Sequence, residues 1–189
     1  YALPISVPRD AEGDPLDEAV TLRVDASGYQ SFPSPPRQAV PLDLVTATLV
    51  EGEWVVENAA TDVALIPREA SGGTISGTVE HPDPGGMLVV AEQGGAAVAT
   101  SITGTGGSFV LYDVPAGATD VRAYRAGLFA GPVSVDATGD VDGVVLTASG
   151  EGLATVGGSV NIVNAPGGLS TSVILVVAST FDEVTARGE

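Results

Sequence analysis

The stretch Gly107-Ser108-Phe109-Val110-Leu111-Tyr112-Asp113-Val114-Pro115-Ala116-Gly117 decides the fold. A short run of β-branched and aromatic residues between a Gly-rich entry and a Pro-Ala-Gly exit reads as a strand closed by a turn. Proline presets φ, and glycine accepts the positive φ that reverses a chain. The same grammar extends outward. Upstream stand Thr74-Ile75-Ser76-Gly77-Thr78-Val79 and Pro84-Gly85-Gly86, and downstream stands Val121-Arg122-Ala123-Tyr124-Arg125-Ala126-Gly127-Leu128-Phe129. The upstream piece returns as Thr155-Val156-Gly157-Gly158-Ser159-Val160 followed by Pro166-Gly167-Gly168, and the downstream piece has an earlier copy at 20–29. Recurrence on this scale predicts an array of one folding unit rather than a single large enzyme core.

Between Gly73 and Ser149 the punctuation predicts seven strands, at 74–80, 87–92, 97–103, 107–112, 119–126, 131–135 and 141–147. Val121 and Ala123 alternate with Arg122 and Tyr124, and Val133 and Val135 with Ser134 and Asp136, so one face of each strand is expected in a core. The expected fold class is all-β, as tandem seven-stranded Greek-key β-sandwich modules of which the terminal ones are incomplete. Residues 1–72 read as the C-terminal part of such a repeat. They carry a strand at 20–26, a Pro-rich stretch (Pro33, Pro35, Pro36), an inserted hairpin at 45–57 turning at Gly52, and a last strand at 62–67. Residues 73–149 read as a complete sandwich, and 150–189 as the N-terminal part of a further repeat with an apolar strand from Val173 to Ala178. Half a sandwich leaves strand edges and an apolar face open. Either the segment is cut from a longer array, or its halves complete each other within one chain or between molecules, the latter giving a homo-oligomer.

Composition narrows the function. The 189 residues are 44% hydrophobic, enough for packed cores, with 25 Gly and 13 Pro as turn formers. The formal net charge is -17, from 24 acidic residues against seven arginines and no lysine. Such a surface repels polyanions and no basic stripe offsets it, which argues against nucleic acid as a partner. Cysteine is absent, so disulfides, thiolate metal sites and Cys nucleophiles are excluded. The longest apolar runs fall well short of the ~20 residues of a membrane helix, so membrane insertion is not expected. A start at Tyr1, with no basic flank and apolar stretch, reads as a mature chain or an excised fragment.

Few residues carry chemistry. His81 is the sole histidine and lies in the turn sequence His81-Pro82-Asp83-Pro84-Gly85-Gly86, where an exposed loop residue is the ordinary expectation. No Gly-x-Ser-x-Gly nucleophile elbow is present. Asp10, Glu12 and Asp14 alternate around Gly13 and form the candidate calcium site, with Asp17 and Glu18 following; Asp136, Asp140 and Asp142 form a looser second set. Neither has the twelve-residue loop with a closing bidentate Glu. Glu51, Glu53 and Glu57 crowd Trp54, an arrangement that in other settings means sugar, but acids flanking a hairpin turn are ordinarily solvated charges and Trp54 is expected to cap a core.

The central segment resembles the carboxypeptidase regulatory-like domain of the transthyretin-like (prealbumin-like) β-sandwich group, which is also similar to the B-type repeats of collagen-binding surface adhesins. The residues that carry the resemblance are Ile75-Ser76-Gly77-Thr78-Val79, Gly107-Ser108-Phe109 in place of an Asp-Gly-Arg-Phe-like turn, Tyr112-Asp113-Val114-Pro115-Ala116-Gly117, and Ala126-Gly127-Leu128 in place of a Gly-Tyr. The chain departs from the family at Gly106 and Ser108, and it keeps the aromatic after the glycine only in the flanking copy, as Tyr29. The resemblance implies a non-catalytic accessory or surface module of secreted and cell-surface proteins, commonly used in tandem; no cofactor is expected apart from calcium at the Asp10, Glu12, Asp14 candidate site. The expectation is therefore a structural or adhesive spacer of a bacterial secreted or cell-surface protein, extracellular or periplasmic, with other domains of the same array as partners. A carbohydrate- or calcium-binding accessory module of a secreted enzyme is the alternative, and an enzyme in its own right is not expected.

Overall fold

The computed structural model describes residues 10–13, 20–33, 38–42, 47–55, 63–68, 72–159 and 175–181, with only the backbone of residues 53 and 54. The chain divides into two compact units, Tyr1–Glu69 and Ala70–Glu189.

In the first unit, β1 (Val20–Leu22) pairs antiparallel with β2 (Val40–Leu42). The strand expected over 20–26 stops at Leu22. The chain reverses at 26–29, where the Tyr29 N–H donates to the Ala26 carbonyl, and Val24 and Phe32 exchange hydrogen bonds of 2.9 Å. The expected hairpin is present as β3 (Thr48–Val50) and β4 (Glu53–Val55). Its two-residue turn holds Glu51 at φ 50° and Gly52 at φ 88°. Positive φ at both central positions gives the primed turn whose twist matches that of paired strands. Residues 63–66 form no strand. They are tied to the 28–30 turn instead, by Gln30 N–H to the Ile66 carbonyl and Arg68 N–H to the Gly28 carbonyl, both 2.9 Å.

The second unit contains seven strands: β5 (Gly73–Glu80), β6 (Leu88–Gln93), β7 (Ala96–Ile102), β8 (Ser108–Val114), β9 (Ala118–Arg125), β10 (Leu128–Asp136) and β11 (Val141–Gly150). They fall where the sequence predicts them, with ends shifted by a few residues. The mixed sheet runs β7-β6-β9-β10-β11-β5-β8. All pairings are antiparallel except β5 with β11, which is parallel. β11 meets β10 only through 148–150 and runs beside β5 from Val141 to Thr147. The sheet therefore folds into two layers, β7-β6-β9-β10 over β11-β5-β8.

Between the layers lies one apolar core. Val89, Ala91, Val121, Ala123 and Ala130 line one side; Ile75, Val79, Phe109, Leu111, Val114, Val144 and Leu146 line the other. Phe109 and Val114, which face inward in the arrangement that the family resemblance implies, are 3% and 0% exposed. Two backbone features shape the layers. Register in β10 shifts between Ala130 and Val133, where Pro132 has no N–H for the ladder and Gly131 takes φ 96°. A Cβ on Gly131 would lie 2.6 Å from the Val121 carbonyl oxygen, so no side chain fits there.

The turn Pro115-Ala116-Gly117 does reverse the chain, but it joins β8 to β9, which are not paired. It carries the chain from one layer to the other. Beyond β11, residues 151–159 form no strand, and Leu153 and Val156 are 80% and 85% exposed. The recurring stretch 155–160 is thus not a strand over its described residues, 155–159. Within 173–178, residues 175–177 are likewise not strand, and Ala178–Thr180 form a turn of 3-10 helix that packs against β7.

Candidate functional site

Of the candidate calcium loop, Asp10 and Glu12 are described and Asp14 lies outside the described residues. The Asp10 Oδ1 accepts the Glu12 N–H at 3.1 Å, and the Gly13 N–H donates to the Asp10 carbonyl at 3.2 Å. This is an Asx turn, in which the carboxylate caps its own backbone. Among the described residues, no group of three or more His, Cys, Asp or Glu side chains is gathered as metal ligands would be.

The second acidic set is dispersed onto hydroxyl partners. Asp140 Oδ1 accepts from the Thr74 N–H at 2.8 Å and the Thr74 hydroxyl at 3.0 Å; Asp142 Oδ1 accepts from the Ser76 hydroxyl at 2.7 Å. The Thr147 hydroxyl reaches Glu80 at 3.4 Å. These contacts form a ladder along the outer surface of the parallel β5–β11 pair. Its first two rungs span 66 residues and the last spans 67, because β11 gains one residue at the register shift between Val141 and Val144. The two Thr74 hydrogen bonds hold the Asp140 carboxyl below the usual carboxylate range, backbone bond first.

His81 Nδ1 stands 3.1 Å from the Asp83 amide nitrogen and 2.9 Å from the Asp83 carbonyl oxygen. The same loop is fastened by Arg125, which donates to the Gly85 carbonyl, to the Asp83 carbonyl at 2.9 Å and to the Asp83 carboxylate at 2.9 Å. The histidine therefore belongs to a fastened β5–β6 connection. In the 45–57 hairpin, Leu49 and Val50 are 60% and 50% exposed; the side chains of Glu53, Trp54 and Glu57 lie outside the described residues.

Sequence reasoning missed three arrangements. Arg23 grips Asp25 with Nε at 2.7 Å and a terminal nitrogen at 2.8 Å, the two-pronged geometry suited to a carboxylate. Ser31 and Gln38 complete that network. The signal was the i, i+2 spacing of Arg23 and Asp25, which puts both on one side of an extended segment. Gln93 ties the 115–119 turn by donating to the Pro115 carbonyl at 2.7 Å and to the Thr119 hydroxyl at 2.9 Å. The third is the outer face of the four-stranded layer, which is graded. One row, set by the register of Ile102, Leu88, Tyr124 and Phe129, is apolar, with the Tyr124 and Phe129 rings 5.4 Å apart. Two residues further along, Arg122 bonds Glu92 at 3.0 Å beside Asp120. Burial pushes the Tyr124 hydroxyl pKa up, with the Glu92 charge adding to it. Compared with known proteins, the chain matches no family model, no curated protein and no solved structure.

Proposed function

We infer that this chain is a non-catalytic structural or adhesive spacer of a bacterial secreted or cell-surface protein, made of tandem Greek-key modules of the carboxypeptidase regulatory-like, transthyretin-like kind. One observation carries the reading. The seven-stranded unit begins with β5 and ends with β11, and these are parallel neighbours, Ile75 opposite Val141 and Glu80 opposite Thr147. The run of seven strands thus starts at one end of the β5–β11 pair and finishes at the other, about 25–30 Å away at ~3.3 Å per strand residue. A unit threaded in this way adds length to an array with every copy, whereas a unit with adjacent ends folds the array back on itself. The partners in this reading are neighbouring domains of the same array and further copies of the chain, with neither cofactor nor nucleic acid.

Antibodies raised against the chain test the location. Intact cells of the source organism, or their secreted fraction, are expected to be labelled. Labelling that requires permeabilisation through to the cytoplasm overturns the reading.

A further inference from the structure

Resting on the spacer reading, we propose that the parallel β5–β11 pair is a mechanical clamp, the element that resists extension when the chain is pulled from its ends.

Tension enters β5 at Gly73 and leaves β11 at Gly150, so it drives the two strands past each other along their shared axis. In that geometry every cross-strand bond between them is strained at once, and none can open until the group yields. Pulling both strands from the same end would instead open the bonds singly. Backbone pairing joins Val141 to Ile75 and then Val144, Val145, Leu146 and Thr147 to Gly77, Thr78, Val79 and Glu80. The hydroxyl–carboxylate rungs Thr74–Asp140, Ser76–Asp142 and Thr147–Glu80 lie across the same pair. Hydrogen bonds to ionised acceptors are stronger than neutral ones.

Sliding is opposed sterically as well. A Cβ at Gly77 would fall 2.0 Å from the Val144 carbonyl oxygen, and one at Gly73 would fall 2.3 Å from the Gly139 carbonyl oxygen. The strands touch where β5 has no side chain, and any slip brings Thr78 or Ser76 into that space. Both strands are also held from behind, β5 by β8 and β11 by β10 at 148–150, so neither leaves the sheet freely. Slipping by one residue would in addition turn the buried Val144 and Leu146 toward water.

The chain has no cysteine, so introduced cysteines define the points of attachment without interference. In single-molecule force spectroscopy on the full chain, handles on R68C and E151C load the pair lengthwise, and handles on R68C and T138C open it from one end. All three positions are exposed. The expected result is a several-fold higher unfolding force in the lengthwise geometry, reduced when Thr74→Val and Ser76→Ala remove two rungs, with the force from one end little changed. Equal forces in the two geometries overturn the clamp. That failure is distinct from failure of the spacer reading, which is decided by where the protein is labelled.

Discussion

At the scale of single residues, Asp140 shows how a solvent-exposed group becomes part of the fold. One carboxylate oxygen takes both the N–H and the hydroxyl of Thr74, and each bond favours the ionised form, so its pKa is lowered on folding. A carboxyl with a depressed folded pKa stabilises the protein fully above its unfolded value, about 3.9. That contribution fades as the pH falls through the lower folded value. The wild-type chain is therefore expected to exceed Asp140→Asn in denaturant midpoint at neutral pH, with the gap closing below about pH 4. A gap that is constant across that range would show that the charge on Asp140 contributes nothing. The contact was not legible in the sequence. Asp140 and Thr74 are 66 residues apart, and only the parallel register makes them neighbours.

The element scale is set by β5 and β8, whose pairing brings two recurrent motifs together. Gly77 of Ile75-Ser76-Gly77 stands opposite Phe109 of Gly107-Ser108-Phe109. The space where a Gly77 side chain would sit is occupied by the Phe109 ring, 2.9 Å from that notional Cβ, and by the Val144 carbonyl. Gly107 is bound to the same assembly. It takes φ 81°, its carbonyl accepts the Val79 N–H at 2.8 Å, and a Cβ on it would meet the Val79 oxygen at 2.5 Å. The glycines that looked like turn punctuation are thus places where backbone touches backbone. Gly77→Ala is expected to cost about 1–3 kcal/mol through overpacking, and Phe109→Ala about 3–5 kcal/mol through the cavity it leaves. Truncating Phe109 should not rescue Gly77→Ala, because the backbone oxygen of Val144 remains in the way. Denaturant midpoints of the two single variants and the double variant check this, and full rescue would assign the conflict to the aromatic ring alone.

For the whole molecule, charge and exposed apolar surface pull in opposite directions. At a net charge of -17 the copies repel, while Leu49, Ile66, Leu153, Val156 and Leu175 stand more than half exposed. Salt shortens the reach of the repulsion, from about 30 Å at ~0.01 M to about 3 Å at ~1 M, and leaves apolar attraction in place. Light scattering is expected to report a larger mass at high salt than at low salt, and an unchanged mass would count against association through these surfaces. By itself the sequence determined the all-β class and the seven strands of the second unit. Those properties follow from local alternation, turn residues and side-chain volume, all written within a few residues of each position. It also placed the hairpin at 45–57 with its turn at Gly52. Only the tertiary structure decided that Pro115-Ala116-Gly117 joins separate layers, that residues 151–159 form no strand despite a strand-like pattern, and that Asp140 and Asp142 serve Thr74 and Ser76. Strand partners are chosen by burial and hydrogen bonding across the whole unit, and a pattern read along the chain carries no term for the partner it will meet.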